Sequence, residues 1–199
     1  MTLDDLTARL TSGIFTPGAP TSDFDLNPEV DLPQDRKLRP AAVLMPLLQA
    51  ESGVRVVLTK RSSRLKHHPG QIAFPGGKVD ESDAGAEAAA LREAREEIGL
   101  PERAVQVLAR MPAHETVTGF TVTPVIGVIE RPCAFVPEEG EVAEVFDVPL
   151  SHLLNLDNYV IQSRLWRAQR RFYYAVPWGP YYIWGATARI TRALATEMQ

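Results

Sequence analysis

"GGKVDESDAGAEAAALREAREEIGL", residues 76–100, is the stretch from which the rest of the chain is read. It opens on two glycines and closes with Glu93, Glu96 and Glu97 packed into about one turn of helix. Ser82 or Asp83 is placed to cap a helix that runs to about Ile98, with Gly99 and Pro101 to stop it. At roughly 100° per residue the three glutamates share one arc of about 100°, while Leu91, Ala94 and Ile98 gather on the other side. The acidic side is therefore expected to point out of the packing layer. Clustered acids are usually just a solvated helix face, but three features argue for more here. The glutamates sit in the last turns, against the helix dipole, where negative charge costs stability unless a cation neutralises it. "FPGG" just upstream permits close backbone approach to a ligand or metal. Arg92 and Arg95 are interleaved with the acids, and Arg92 stands four residues before Glu96, a supporting spacing. Hard oxygen donors on a rigid helix suit magnesium or manganese.

Outward from this helix the pattern is mostly strands. "AAVLMPLLQ" and "VRVVLTK" are joined by the turn "ESG"; then come the basic loop "RSSRLKHHPG", the short strand "QIAF" and the break "PGG". Downstream, "AVQVLARM", "FTVTPVIGVIE", "EVFDV", "NYVIQSRLW" and "RRFYYAVPW" are further strand candidates. "YYIWGATARITRALATEM" spaces Ile183, Thr187, Ile190 and Leu194 at helical intervals and is expected to pack on the sheet, with a dimer interface as the lesser reading. The expectation is an α/β fold, a mixed β-sheet sandwiched between α-helices. Residues 1–38, with a short helix near Leu3–Leu10 and a Pro- and Asp-rich continuation, read as an arm packed on or extending from a domain at 39–199.

Composition narrows the function classes. The chain has 199 residues, 45% hydrophobic and 23% charged, with a net charge of −4. That balance gives no support for nucleic-acid binding, so an anionic substrate needs locally placed cations. Cys133 is the single cysteine, which rules out an internal disulfide. The longest apolar run is broken by Pro46 and is too short to span a bilayer. Asp4 and Asp5 stand where a secretory leader carries basic charge, so a cytoplasmic location is expected.

"REAREEIGL", Arg92 to Leu100, resembles the second half of the box of the Nudix hydrolases, G-x5-E-x7-R-E-U-x-E-E-x-G-U with U aliphatic. The first half departs from it: the box positions would fall on Lys78 and Ala84, whereas the matching groups are Gly77 and Asp83. One extra residue therefore precedes Arg92. The preceding "LTKRSSRLKHHPGQIAFPGGKVDESD" is similar to the signature of the coenzyme A pyrophosphatase branch, through Arg61, Ser62, Leu65, His68, Gly70, Gln71, Phe74 and Gly76 among others. "TVTPVIGVI", "EVAEVFDVPL" and "YYIWGATARI" resemble that branch too.

The resemblance implies a Nudix fold and a metal-dependent enzyme that splits coenzyme A or acyl-coenzyme A into 3′,5′-ADP and 4′-phosphopantetheine or its acyl form. It implies Mg2+ or Mn2+ as cofactor, a small-molecule nucleotide as partner, and a monomer or homodimer. The alternatives are a Nudix diphosphatase for another nucleotide, such as ADP-ribose or a nucleoside triphosphate, and an inactive nucleotide-sensing module. By the same resemblance Glu93 and Glu97 are the principal metal ligands, Glu96 a further ligand or water-orienting group, and the Gly77 carbonyl a further donor. Arg92 holds a catalytic glutamate in place. Substrate contacts are expected from the basic loop, at Arg61, Arg64 and His68, and from Gln71, while Lys60 and Lys66 read as solvated. Among Glu138, Glu139, Glu141 and Glu144, Glu141 is preferred as general base. Tyr173, Tyr174 and Trp178 are candidates to stack on adenine or to fill the core, and His114 and Thr116 to line the pocket or a surface loop.

Overall fold

The first long strand runs from Arg39 to Ala50, and its alternate side chains are buried on both faces. Ala42 and Leu44 join one hydrophobic cluster, Met45 and Leu47 another. A strand buried on both sides needs cover on both sides, and that requirement sets the layers. The structure is a computed structural model that describes residues 2–12, 18–33, 35–131, 133–166 and 169–199; parts of the N-terminal arm, at 13–17 and 34, lie outside the described residues.

In chain order the elements are α1 (Leu3–Thr11), β1 (Thr21–Ser22), β2 (Arg39–Ala50), β3 (Gly53–Arg61), β4 (Ile72–Ala73), β5 (Gly76–Lys78) and α2 (Ala86–Ile98). Then follow β6 (Val105–Arg110), β7 (His114–Glu115), β8 (Phe120–Ile129), β9 (Val142–Pro149), α3 (Leu150–Leu154), β10 (Val160–Trp166), β11 (Gln169–Ala175) and α4 (Ala186–Glu197). Among the described residues one mixed sheet runs β1-β7-β8-β2-β3-β4, with β5 on β2, β6 on β8 and β9 on β3. β2 and β8 are parallel, whereas β3 pairs antiparallel with both β2 and β9. β10 and β11 form a separate antiparallel hairpin.

α2 covers one face. Ala89, Ala90 and Ala94 are fully or almost fully buried there, and such small side chains let the helix lie close to Leu44, Val57 and Val125. The opposite face is covered by the helices at the two ends of the chain. Leu6 and Leu10 of α1 share a cluster with Met45, Ile126, Ile190 and Leu194. Burial of Leu6 and Leu10 is worth on the order of 2 kcal/mol each. The mixed sheet between helices is thus the architecture expected.

Several local expectations need correction. Neither Ser82 nor Asp83 caps α2: the helix starts at Ala86 after Gly85, whose φ of 134° suits glycine alone. The "PGG" break is itself a strand, β5, and "EVFDV" is the middle of the longer β9. The C-terminal helix starts only at Ala186; Ile183 is buried, but on an extended turn in which Ala175 bridges Trp184. The helix α3 and the two-residue strands β1 and β7 escaped the sequence reading because each is too short for a hydrophobic period to repeat.

Candidate active site

α2 ends at Gly99, whose φ of 67° makes the left-handed cap, while Leu100 N–H reaches back to Ala94 O at 3.3 Å. The remaining helix carbonyls meet a loop from far along the chain. Val136 N–H donates to Ile98 O at 2.9 Å and Glu138 N–H to Glu97 O at 2.9 Å. The acidic loop 136–141 is thereby fastened to the acidic end of α2. At its other end Ser62 N–H donates to Glu141 O at 2.7 Å, which ties the loop to the end of β3. Glu141 is exposed, and its charge bears on both Glu93 and Glu97.

The three glutamates of α2 have three environments. Glu96 is exposed, as expected. Glu93 lies half-hidden against Gly77, so close that a Cβ at that glycine would collide with its carboxylate. Glu97 departs from the expectation of an outward acidic face: it is 4% exposed, with Oε2 accepting from Gly76 N–H at 3.2 Å. Burial pushes the Glu97 carboxyl up to about 7; Gly76 N–H and Arg61 pull it down, and Glu93 and Glu141 raise it further. Burial also raises Glu93, against the pull of Arg92. The two glycines answer different neighbours: a Cβ at Gly77 would displace the Glu93 carboxylate, whereas a Cβ at Gly76, at a φ of 155°, would meet Ala42 O and Val43 of β2.

Arg92 organises this group. Its Nη1 donates to Glu93 Oε1 at 3.0 Å and to Glu96 Oε2 at 3.1 Å. Its other edge grips Asp83, with Nε to Oδ1 at 2.9 Å and Nη2 to Oδ2 at 3.0 Å. The bidentate pair holds Asp83 below the usual carboxylate range and raises Arg92 further above its own. This accounts for Asp83 despite the extra residue: the loop before α2 is turned so that Asp83 meets Arg92.

Among the described residues no three His, Cys, Asp or Glu side chains are gathered closely enough to hold an ion as they stand. Arg92 supplies positive charge between Glu93 and Glu96 instead. The donor chemistry nevertheless fits a hard divalent cation. Glu93 and Glu97 are desolvated oxygen donors on adjacent turns, both against the glycine pair, with Glu141 near enough to influence them.

The expected substrate residues divide. Arg61 influences both Glu97 and His68. His68, at a φ of 54°, and Gln71 line a cleft that none of the α2 glutamates borders, and share an adjoining hollow with Arg61. Burial lowers the His68 pKa, and Arg61, His67 and Arg164 add to that. Arg64 is exposed and lines none of the described clefts. Tyr173 and Thr116 do line the cleft. Tyr174 packs beneath Arg192 of α4, and Trp178 tilts against His152. His114 is fully buried, with Nδ1 2.9 Å from Thr21 Oγ1 and Nε2 3.2 Å from Asp23 Oδ1, so it fastens the N-terminal arm instead of facing the cleft. Glu144 accepts a hydrogen bond from Tyr181 Oη and is thereby engaged. Sequence reasoning passed over Asp23, Asn27, Arg164, Arg171 and Trp184, all on the cleft wall.

Comparison with known proteins settles the family. Residues 37–170 match the NUDIX domain. The chain is 44% identical over 160 residues to the "Uncharacterized Nudix hydrolase NudL" of Enterobacter sp. (strain 638), covering 80% of this chain and 83% of that one. The chain belongs to the Nudix hydrolases. A NudL of Escherichia coli (strain K12) is 42% identical over 160 residues, with the same coverage. Among solved structures it is similar to the Nudix hydrolase RenU of M. smegmatis, with 30% identity and a TM-score of 0.47 over 57% of this chain and 72% of that one. Nudix hydrolases generally require a divalent metal ion and act on small nucleotide-like substrates. Among the described residues no helix is long and apolar enough to cross a membrane.

Proposed function

We propose that this Nudix hydrolase cleaves the diphosphate of coenzyme A or its thioesters, releasing 3′,5′-ADP and 4′-phosphopantetheine or its acyl form. The observation that carries the reading is the joining of two motifs in one place. The "RSSRLKHHPGQIAFPGG" segment, which resembles the coenzyme A branch, supplies His68 and Gln71 to the cleft, Arg61 to the adjoining hollow, and the glycines against Glu93 and Glu97. In this reading residues 39–199 are the hydrolase domain. The arm before them is an attached wall, supported by the pairing of β1 with β7 and the burial of Leu6 and Leu10.

Glu93 and Glu97 would hold the metal, with Glu96 and the Gly77 carbonyl as further donors. A bound Mg2+ or Mn2+ supplies charge neutralisation for a diphosphate and polarises the attacked phosphorus. The remaining work belongs to the chain. Arg92 is a positioning residue: by bridging Glu93, Glu96 and Asp83 it keeps mutually repelling carboxylates in register. Glu141 is the general base, freer than Glu144 and held near the acidic group by backbone bonds at both ends of its loop. Its carboxylate takes a proton from the attacking water as the water oxygen bonds to phosphorus. The bridging P–O bond then breaks, and its electron pair leaves with the departing phosphate. Arg61 offers a fixed positive charge to the substrate diphosphate.

A product assay on coenzyme A, ADP-ribose and dATP, side by side with Mg2+ or Mn2+, tests this reading. Release of 3′,5′-ADP from coenzyme A as the fastest reaction is the expected outcome. Much faster cleavage of either of the other two would overturn the substrate while leaving the family untouched.

A further inference from the structure

A second charged constellation lies beyond the acidic helix. In the β10–β11 hairpin Arg164 stands directly opposite Arg171. Like charges facing each other across an antiparallel pair destabilise it, yet both arginines line the same cleft. Arg164 stacks on the Trp184 ring, 4.6 Å from guanidinium carbon to ring centroid. Such stacking orders the guanidinium plane while its N–H edge stays available to an anion. Tyr173 lies 5.0 Å from Trp184, tilted by 58°, and completes an aromatic wall. Gly185 and Ala186, at the N-terminus of the twelve-residue α4, border the same cleft and add the positive end of a helix dipole. Among the described lining residues the single carboxylate is Asp23, and it is already engaged. It accepts from Val117 N–H at 2.9 Å and lies 3.2 Å from His114.

The cleft adjoins a hollow that leads toward Arg61. His68 and Gln71 line the cleft together with Arg164, and both also line that hollow with Arg61, whose charge reaches Glu97. A substrate with a diphosphate at one end of a nucleoside and another phosphate on the ribose has charges at both ends of this path. Resting on the coenzyme A reading, we infer that the cleft receives the nucleoside end of the substrate, with a phosphate monoester held by Arg164 and Arg171 and the purine against the Trp184–Tyr173 wall. Recognition of the ribose phosphate thus passes from the basic loop to the hairpin. A phosphate monoester, close to doubly negative at neutral pH, suits the planar forks of two arginines on one face of the hairpin.

The test compares coenzyme A with 3′-dephospho-coenzyme A in wild type and in Arg164→Gln, a change at an exposed position, with circular dichroism to confirm the fold. Wild type is expected to favour coenzyme A in kcat/KM by about 10- to 100-fold, mainly through KM, and the variant to bring that ratio close to one. A ratio that Arg164→Gln leaves unaltered overturns the inference. Calorimetric titration of the magnesium-loaded protein with 3′,5′-ADP and with 5′-AMP provides a readout without turnover; the preference for 3′,5′-ADP should fall in the variant. If coenzyme A is not hydrolysed but this Arg164-dependent preference persists, the substrate reading fails and the phosphate site stands. Hydrolysis of coenzyme A with binding indifferent to Arg164 overturns the phosphate site and leaves the substrate reading in place.

Discussion

The two ends of the site are built in opposite ways. The acidic end comes largely from one helix and the glycine pair shortly before it, with one loop from later in the chain closed over the helix terminus. The basic cleft draws single residues from remote segments: Asp23 and Asn27 of the arm, His68 and Gln71 of the loop after β3, Arg164 and Arg171 of the hairpin, and Trp184 before α4. A local constellation keeps its spacing in the sequence. A dispersed one has no spacing to keep. Chemistry that must stay constant can therefore be written as a motif, whereas recognition assembled from loops and edges cannot.

The largest effect expected sits at the acidic end. Glu97→Gln and Glu93→Gln should each lower turnover by at least about 100-fold, and EDTA should abolish it, with the fold preserved in all three cases. Steady-state rates with circular dichroism check both halves of that statement. Near-normal turnover in both variants would reduce α2 to a solvated acidic face and remove the contrast between the two ends.

That contrast also explains what could be read from the chain. The mixed sheet between helices followed from the succession of strand candidates with two helices among them, and β2 and β8 are near-continuously buried because helices cover both faces. The grouping of Glu93, Glu96, Glu97 and Arg92 followed from helical spacing. Their differing burial did not: the β5 pairing that sets Gly76 against Glu97 is a tertiary event. Arg164 and Arg171 looked like ordinary strand residues because their juxtaposition depends on hairpin register. His114, singled out beside a conspicuous "HET", is buried by an arm whose pairing with β7 spans only two residues.

A smaller and more selective effect is expected from the loop that joins the helix end to β3. Glu141→Gln should reduce kcat by about 10²–10⁴-fold with KM little changed, since a general base acts in the transition state and not in substrate binding. Glu138→Gln, in the same exposed loop, keeps the backbone bonds that fasten it and should be nearly silent. Equal losses in the two variants would mean that the loop contributes only bulk charge, and the division of labour among the acids would have to be redrawn.

The smallest effect is thermodynamic and concerns Glu97, the buried acid of α2. The Glu97 carboxyl has an ordinary value of 4.5 and is pushed up to about 7 in the fold, first by burial. Between those two values the folded protein holds a proton that the unfolded chain has released, so stability falls as pH rises through that window. The contribution of Glu97 is fully favourable below about pH 4.5 and is lost above about pH 7, a difference of about 3 kcal/mol at most. Glu93, also raised by burial, contributes with the same sign, so the quantity to measure is the stability difference between wild type and Glu97→Gln in EDTA. Urea unfolding at intervals from pH 4.5 to 8 should show the variant gaining on wild type as pH rises, because a neutral amide never acquires the buried charge. Added Mg2+ should narrow the gap at pH 8 and do little at pH 5, where protons compete for the same oxygens. A gap that stays constant across the whole range would show that Glu97 carries no buried charge in the metal-free protein, and the burial that distinguishes it from Glu96 would lose its electrostatic meaning.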